Sequence, residues 1–455
     1  MRSILLAITL ACLLVRIAPA LAQDHPVVQQ LRSMLPAGNT LTFARATPVA
    51  GTPEGVTLEN VVLTRGADRT TIATLTLVGL RPDGVTRLEL RDLSAPMAGG
   101  PPGGPPAGAV TIAGLEVTGL AVRRRPAGQR PQPDDVKLST LRLENFAGPG
   151  RPTFAIARLT VSNWGIGRRT EGEVTGMNFT SIPDNPIDAF SVARVATAGL
   201  DIASLATAAM QSRAPGPQPA GRQSVALEGV VMRGGGVVLG GLQSLQVEGE
   251  ADAQGSGTGR LALRGLTVER APPTTAFFDT VGLERVDASM SFEGSYDATT
   301  GRLLLPAFAL GVREVGAIAL ALGIDGYTPA AAQSNDTSRI RLLNARLRFA
   351  DEGAYGRTLR AQARATATSE QALREQYASA LRNALRSPGP NPAPNLALDG
   401  LREVLLRFVR GEINVVELEA RPAAPVPFST LGPALQQGPA PLVRQLGITA
   451  SGRRQ

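Results

Sequence analysis

The chain has 455 residues, a formal charge of +8, one histidine and one cysteine, so it is long enough for more than one core and poor in catalytic ligands. Zinc sites, Ser-His-Asp triads and Cys-His pairs all draw on His or Cys, and His25 and Cys12 supply too few for any of them. No Gly-x-x-x-x-Gly-Lys-Ser/Thr loop, no Gly-x-Gly-x-x-Gly after a strand and no Asp-x-Asp-x-Asp-Gly calcium loop is present, so no catalytic, cofactor-binding or metal-binding residue is assigned and no cofactor is implied.

The N-terminus reads as a secretory leader over residues 1–22. Arg2 supplies the positive end, Ile4 to Val15 the apolar stretch, and Ala20-Leu21-Ala22 the small-residue cleavage site before Gln23. The apolar stretch is short of the roughly 20 residues that a spanning helix needs. Cys12 lies inside it, where Leu13, Leu14 and Val15 do not suit a lipid-attachment site. The mature chain is therefore expected outside the cytoplasm, in the periplasm, with no disulfide and no integral membrane segment. Loss of Arg2 and Arg16 with the leader leaves a charge of +6 out of the formal +8.

Asp24 to Leu35 reads as a short amphipathic helix with Asp24 as cap. From Leu41 to Gly199 strand follows strand, interrupted by two Gly/Pro-rich loops, Ser94 to Ala109 and Arg123 to Asp135. The second holds the one basic cluster, Arg123-Arg124-Arg125 with Arg130, expected as a solvated loop. Within the strands one six-residue phrase recurs eight times: apolar, any, apolar, any, then Asn, Gly or Asp, then apolar. Its copies begin at Val56, Leu75, Leu88, Leu115, Leu141, Leu159, Val225 and Leu261. The first three positions alternate as a half-buried strand does. The fifth position, Asn60, Gly79, Asp92, Gly119, Asn145, Asn163, Gly229 and Gly265, tolerates positive φ. After it the apolar parity shifts by one, which a β-bulge or a tight corner absorbs. The starts are irregularly spaced, which favours strongly curled antiparallel meanders over a fixed-period solenoid.

Asp201 to Arg213 has helical spacing behind a good cap, and residues 214–223 form a Pro- and Gly-rich linker. A second β-rich region spans 224–367, with hairpin turns at Gly255–Gly259 and Tyr296–Gly301. Residues 368–455 turn helical. Thr368 with Gln371 reads as a capping box, Ser387 to Pro394 as a break, Leu396 to Arg410 as a helix closed by Gly411, Glu412 to Glu419 as a strand, and Ser429–Gln437 and Pro441–Leu446 as short helical turns. The fold class is thus mainly β, with bulged antiparallel meanders, one mid-chain helix and a helical C-terminal region. The domains are residues 23–213, the linker 214–223, 224–367 and 368–455.

Other chemistry-bearing residues have plainer roles. Trp164, the single tryptophan, fills the last apolar slot of a phrase and reads as core. Lys137, the single lysine, stands between Val136 and Leu138 on a solvated strand face. Phe277, Phe278, Phe308 and Phe349 read as core before pocket. Paired carboxylates leave a cofactor-free hydrolase as a third reading. Aromatic residues are few and do not interleave with arginine, so nucleic acid is not an expected partner.

The repeated phrases behind a leader resemble the repetitive β regions of AsmA-like bacterial envelope proteins. The run Leu401 to Phe408, Gly411, Ile413 to Leu418 and Arg-Pro-Ala-Ala-Pro-Val-Pro resembles uncharacterised periplasmic proteins. That resemblance implies envelope maintenance or lipid handling and transfers no catalytic residue. AsmA-like proteins usually keep an N-terminal anchor, where this chain has a cleavable leader. The expected function is a non-enzymatic envelope protein that holds a lipid or another apolar ligand in a groove of the sheet, or binds an envelope protein. The alternative is a scaffold with closed cores.

Overall fold

The computed structural model describes residues 25–96, 108–123, 125, 132–150, 152–182, 185–272, 274–328, 338–386 and 396–455. The expected leader with Cys12, the expected cap Asp24, Arg124, Arg130 and the expected break at Ser387 to Pro394 lie outside the described residues. The chain forms two compact units, Met1–Val237 and Val238–Gln455.

The first unit is an antiparallel meander. Its strands are β1 (Asn39–Thr42), β2 (Arg45–Pro48), β3 (Gly55–Arg65), β4 (Asp68–Arg81), β5 (Gly84–Pro96), β6 (Ala109–Val122), β7 (Val136–Gly148), β8 (Thr153–Trp164), β9 (Thr170–Thr180), β10 (Ala189–Leu200) and β11 (Gly221–Gly234). From β3 onward each strand pairs with the next, and both β1 and β2 pair with β3. Helix α1 (Pro26–Ser33) is capped by His25, one residue later than expected, and buries Val27, Val28 and Leu31. Helix α2 (Ile202–Met210) begins as expected at Asp201, whose carboxylate accepts from the Ser204 amide at 2.9 Å. Asp201 also accepts from the Gly167 amide at 2.6 Å, which ties the β8–β9 turn to the helix.

All eight residues at the fifth position of the phrase have positive φ, between 49° and 64°. Of the two expected ways to absorb the parity shift, β3 to β9 use the corner and not the bulge. In β3 to β9 no strand carries an extra residue, and pairing keeps one offset from end to end of each ladder. Instead every strand makes the same three-residue apolar step at one height: Leu58 to Val61, Ile72 to Leu75, Leu90 to Leu93, Ile112 to Leu115, Leu143 to Phe146, Ile156 to Leu159. The registers set the intervening residues in one row across nine strands: Asn60, Ala73, Asp92, Ala113, Asn145, Ala157, Gly176, Ala193, Gly229. Left-handed residues alternate with alanines. A second row, Gly79, Thr86, Gly119, Ser139, Asn163, does the same with small hydroxyl residues.

A three-residue step places flanking side chains on opposite sides of a flat pleat. Here both flanks lie in one core, so the sheet bends along the row. Alanine faces the left-handed residue because the strands approach closely there: a Cβ on Gly176 would lie 2.7 Å from the Ala157 Cβ, and one on Gly229 2.6 Å from the Ala193 Cβ. The rows also explain the irregular sequence spacing. Their height is common, while the loops between strands differ in length.

The second unit has β12 (Val237–Ala251), β13 (Gly257–Glu269), β14 (Arg285–Asp297), β15 (Arg302–Val312), β16 (Gly316–Asp325), β17 (Arg341–Asp351), β18 (Val415–Ala420), β19 (Val426–Pro427) and β20 (Ile448–Arg453). Strands β12 to β18 pair in sequence, β20 pairs with β18, and β19 with β17, all antiparallel. This unit does use bulges. The register slips between Leu263 and Leu266 beside Gly265, and between Leu305 and Phe308 around Pro306, which has no N–H to give the ladder.

Helix α3 (Thr275–Val281) joins β13 to β14, and α4 (Ala354–Thr366), α5 (Glu370–Ala384) and α6 (Leu396–Arg410) separate β17 from β18. Residues 354–366, expected within the second β-rich region, are helical: Ala, Arg and Gln are strong helix formers and their pattern lacks strand alternation. The cap of α5 is Ser369, accepting from the Ala372 amide at 3.1 Å, one residue beyond the expected Thr368. The strand expected at Glu412 begins at Val415, and β20 was not foreseen. Helices α7 (Leu431–Gln436) and α8 (Pro439–Leu446) match the two expected helical turns.

Candidate functional site

The second unit's sheet has two unlike faces. On one, register aligns Val247, Leu261, Phe292, Phe308, Leu320 and Leu347 in a row across β12 to β17. A neighbouring row holds Leu245, Leu263, Met290, Leu310, Ile318 and Phe349. No charged residue stands in either row. The opposite face carries cross-strand ion pairs, Glu248 with Arg260 at 2.7 Å and Arg346 with Glu417.

The apolar rows are half open to solvent. Val247, Phe292, Leu310, Ile318 and Leu347 are 37–39% exposed, whereas the matching side chains of β3 to β8 in the first unit are buried. Gly294 lets the Phe292 ring lie down along its strand, since an added Cβ would come within 3.0 Å of that ring.

The open band has defined limits. At one strand end Ala288 is buried on this face, and at the other, two rows beyond Leu320 and Leu347, Ile324 and Leu342 join a core with Val426 and Leu446. Helices α6 and α8 cover the same face over β18 and β20, where Leu418 and Ala450 pack with Leu398, Leu401 and Val443. Phe408 of α6 packs edge-on against Phe349, ring centres 5.7 Å apart, and also meets Tyr355 of α4. Arg357 of α4 donates to the Glu314 carbonyl and ties the helix to the β15–β16 turn. Helix α3 buries Phe278 completely. Apolar surface laid on such a face is stabilised by burial and dispersion, and neither row contains a nucleophilic or titratable side chain.

The other candidates occupy structural positions. Nδ1 of His25 faces the Val27 amide at the start of α1. Lys137 is exposed on β7. Trp164 packs on the first unit's core and donates from Nε1 to the Pro133 carbonyl at 3.1 Å. Phe308 and Phe349 lie in the open band rather than in a closed core, and the Phe277 side chain lies outside the described residues. Of the basic cluster, Arg123 and Arg125 both pair with Asp135, whose side chain is fully buried, while the Arg123 side chain stays 65% exposed. Arg123 donates at 2.9 Å, Arg125 also reaches Asp134 at 3.3 Å, and the Gln132 amide donates to Asp135 at 2.8 Å. Burial alone would raise the Asp135 carboxyl, but hydrogen bonds from Arg125, the Gln132 amide and Arg123 outweigh it and hold it below the ordinary carboxylate range. Among the described residues no group of three His, Cys, Asp or Glu side chains gathers in one place, and no helix is long and apolar enough to cross a membrane.

A family model described as an uncharacterized protein matches residues 309–453, from within β15 to the end of β20. That stretch contains the helices that cover the closed end of the apolar face. No curated protein matches the chain.

Proposed function

We propose that the chain is a non-enzymatic protein of the bacterial cell envelope that holds the acyl part of a lipid on the open face of β12 to β17. The carrying observation is the charge-free double row, five of whose twelve members are 37–39% exposed while the same face is covered over β18 and β20. Large apolar patches on soluble domains mark binding surfaces, because leaving them wet is unfavourable. An anionic head group is supported by charge: residues 354–411, which contain α4 to α6, carry nine arginines against four acidic residues. The leader and the AsmA-like phrases support an exported, lipid-handling role. The closed core of the first unit favours a scaffolding part for that unit.

Titration of the purified chain with a fluorescent fatty acid tests the reading. Saturable binding, competed by an anionic phospholipid and weakened at least tenfold by Phe292→Arg, supports it. No binding at micromolar concentrations leaves the scaffold as the better account. Native mass spectrometry of protein purified from the periplasm is the companion measurement, because a co-purifying lipid appears there directly.

A further inference from the structure

The last thirty-five residues, from Arg421 to Gln455, contain four arginines and no acidic residue. The carboxylates that register sets beside β20, Glu417 and Glu419, stand on the face opposite α8 and hold Arg346 and Arg421. Within this acid-free stretch α7 and α8 border an open cleft of about 630 Å³. Both helices turn apolar side chains inward, burying Ala434, Ala440, Val443 and Leu446. Polar side chains from the helices and the turn before α7 line the cleft: Ser429, Thr430, Gln437, Arg444 and Gln445, with Pro433 as an apolar wall.

The cleft is braced. The Gln445 amide donates to the Thr430 hydroxyl at 2.7 Å, and that hydroxyl donates to the Pro427 carbonyl at 2.8 Å. These bonds pin the end of α8 to the start of α7. They also orient the Gln445 amide, whose second N–H is left to donate elsewhere. Arg444 is exposed, and among the described residues no carboxylate pairs with it.

From this donor set, and independently of the acyl-binding reading above, we infer that the cleft binds a phosphoryl group. The Arg444 guanidinium presents a fork of N–H donors that matches phosphate oxygens. Ser429, Gln437 and Gln445 add neutral donors in the same cleft, and no neighbouring acid in the stretch offsets the positive charge. A phosphate monoester brings three terminal oxygens to these donors, where a carboxylate brings two. A soluble phosphate ester and a phospholipid head group share this chemistry, and the test separates them.

The test uses the full chain. Isothermal titration with inorganic phosphate and with glycerol phosphate reads the soluble source. Co-sedimentation with phosphatidylcholine vesicles containing phosphatidic acid reads the lipid source. Saturable binding in at least one arm is expected, weakened about tenfold or more by Arg444→Gln and unchanged by Arg453→Gln. Arg453 belongs to the same acid-free stretch but lies on β20 outside the cleft, so its replacement removes the same charge and leaves the donors in place. Circular dichroism verifies that both variants are folded. No saturable binding in either arm would overturn the proposal. Equal weakening by the two variants, the mark of diffuse attraction to a basic tail, would overturn it too, as would acetate binding as tightly as phosphate. Failure here leaves the acyl-binding reading untouched, since no residue of the cleft lies on β12 to β17.

Discussion

Gly229 offers the sharpest test of the bending rows. It has φ of 64°, and a Cβ added to it would lie 2.6 Å from the Ala193 Cβ on the paired strand. Two penalties meet there, and they separate by substitution. Asparagine tolerates the left-handed region, and Asn145 already faces alanines in the same row, so Gly229→Asn should destabilise by about 1 kcal/mol. Valine adds β-branched strain of about 1–3 kcal/mol and overpacking of similar size, so Gly229→Val should cost about 2–6 kcal/mol. Removing the facing methyl with Ala193→Gly in the valine background should return the overpacking part, about 1–3 kcal/mol, and leave the strain. Trp164 is the single tryptophan and packs on the first unit's core, so its fluorescence during urea unfolding reports this unit. Equal losses for asparagine and valine, or no recovery in the double variant, would refute the argument that the row needs both a left-handed residue and a small neighbour.

The remaining predictions are simpler. Asp135→Asn leaves two arginines facing a neutral amide and should cost about 2 kcal/mol, less than a fully buried pair because the Arg123 side chain is 65% exposed. Because the folded carboxyl lies below its unfolded value of about 3.9, this contribution is full above that value and fades as pH falls through the folded one; unfolding curves of both proteins should converge only in strong acid. Ala367 ends α4 with φ of 49°, so Ala367→Gly should stabilise by about 1 kcal/mol, read as a raised urea midpoint. Ser369→Ala removes the α5 cap and should cost about 1 kcal/mol by the same measurement. Intact mass of the exported protein should begin at Gln23 with no acyl group on Cys12; a mass that retains Cys12 with a diacylglyceryl group refutes the leader reading.

The eight left-handed positions were legible because Asn, Gly and Asp stand out against an alternating background. Gly176 was not, because Val174-Thr-Gly-Met177 lacks the full phrase, although its three-residue step was present. The alanines opposite were invisible for a different reason. Their role exists only between strands, and register is needed to see Ala73 between Asn60 and Asp92. Helix α4 was missed because Ala354 to Thr366 has helix-forming residues without an apolar stripe, and only Leu359 is fully buried. The apolar band was half legible: alternation shows that Phe292, Phe308 and Phe349 point inward on a strand, but not whether a second layer covers them. Coverage depends on where α6 lands, which Phe408 on Phe349 decides.

The unbroken register of β3 to β9 has a consequence for how such a chain can lengthen. A strand pair added to a sheet usually has to match twist, face and offset at once. Here one left-handed residue on the first new strand and one alanine on the second, set at the common height, satisfy all three, and the connecting loop is free to take any length. The row works as a ruled line on which hairpins can be written or erased without disturbing those on either side. Internal duplication or loss of whole hairpins is therefore the change this architecture absorbs most readily, and an odd number of residues inserted within a strand is the one it absorbs least.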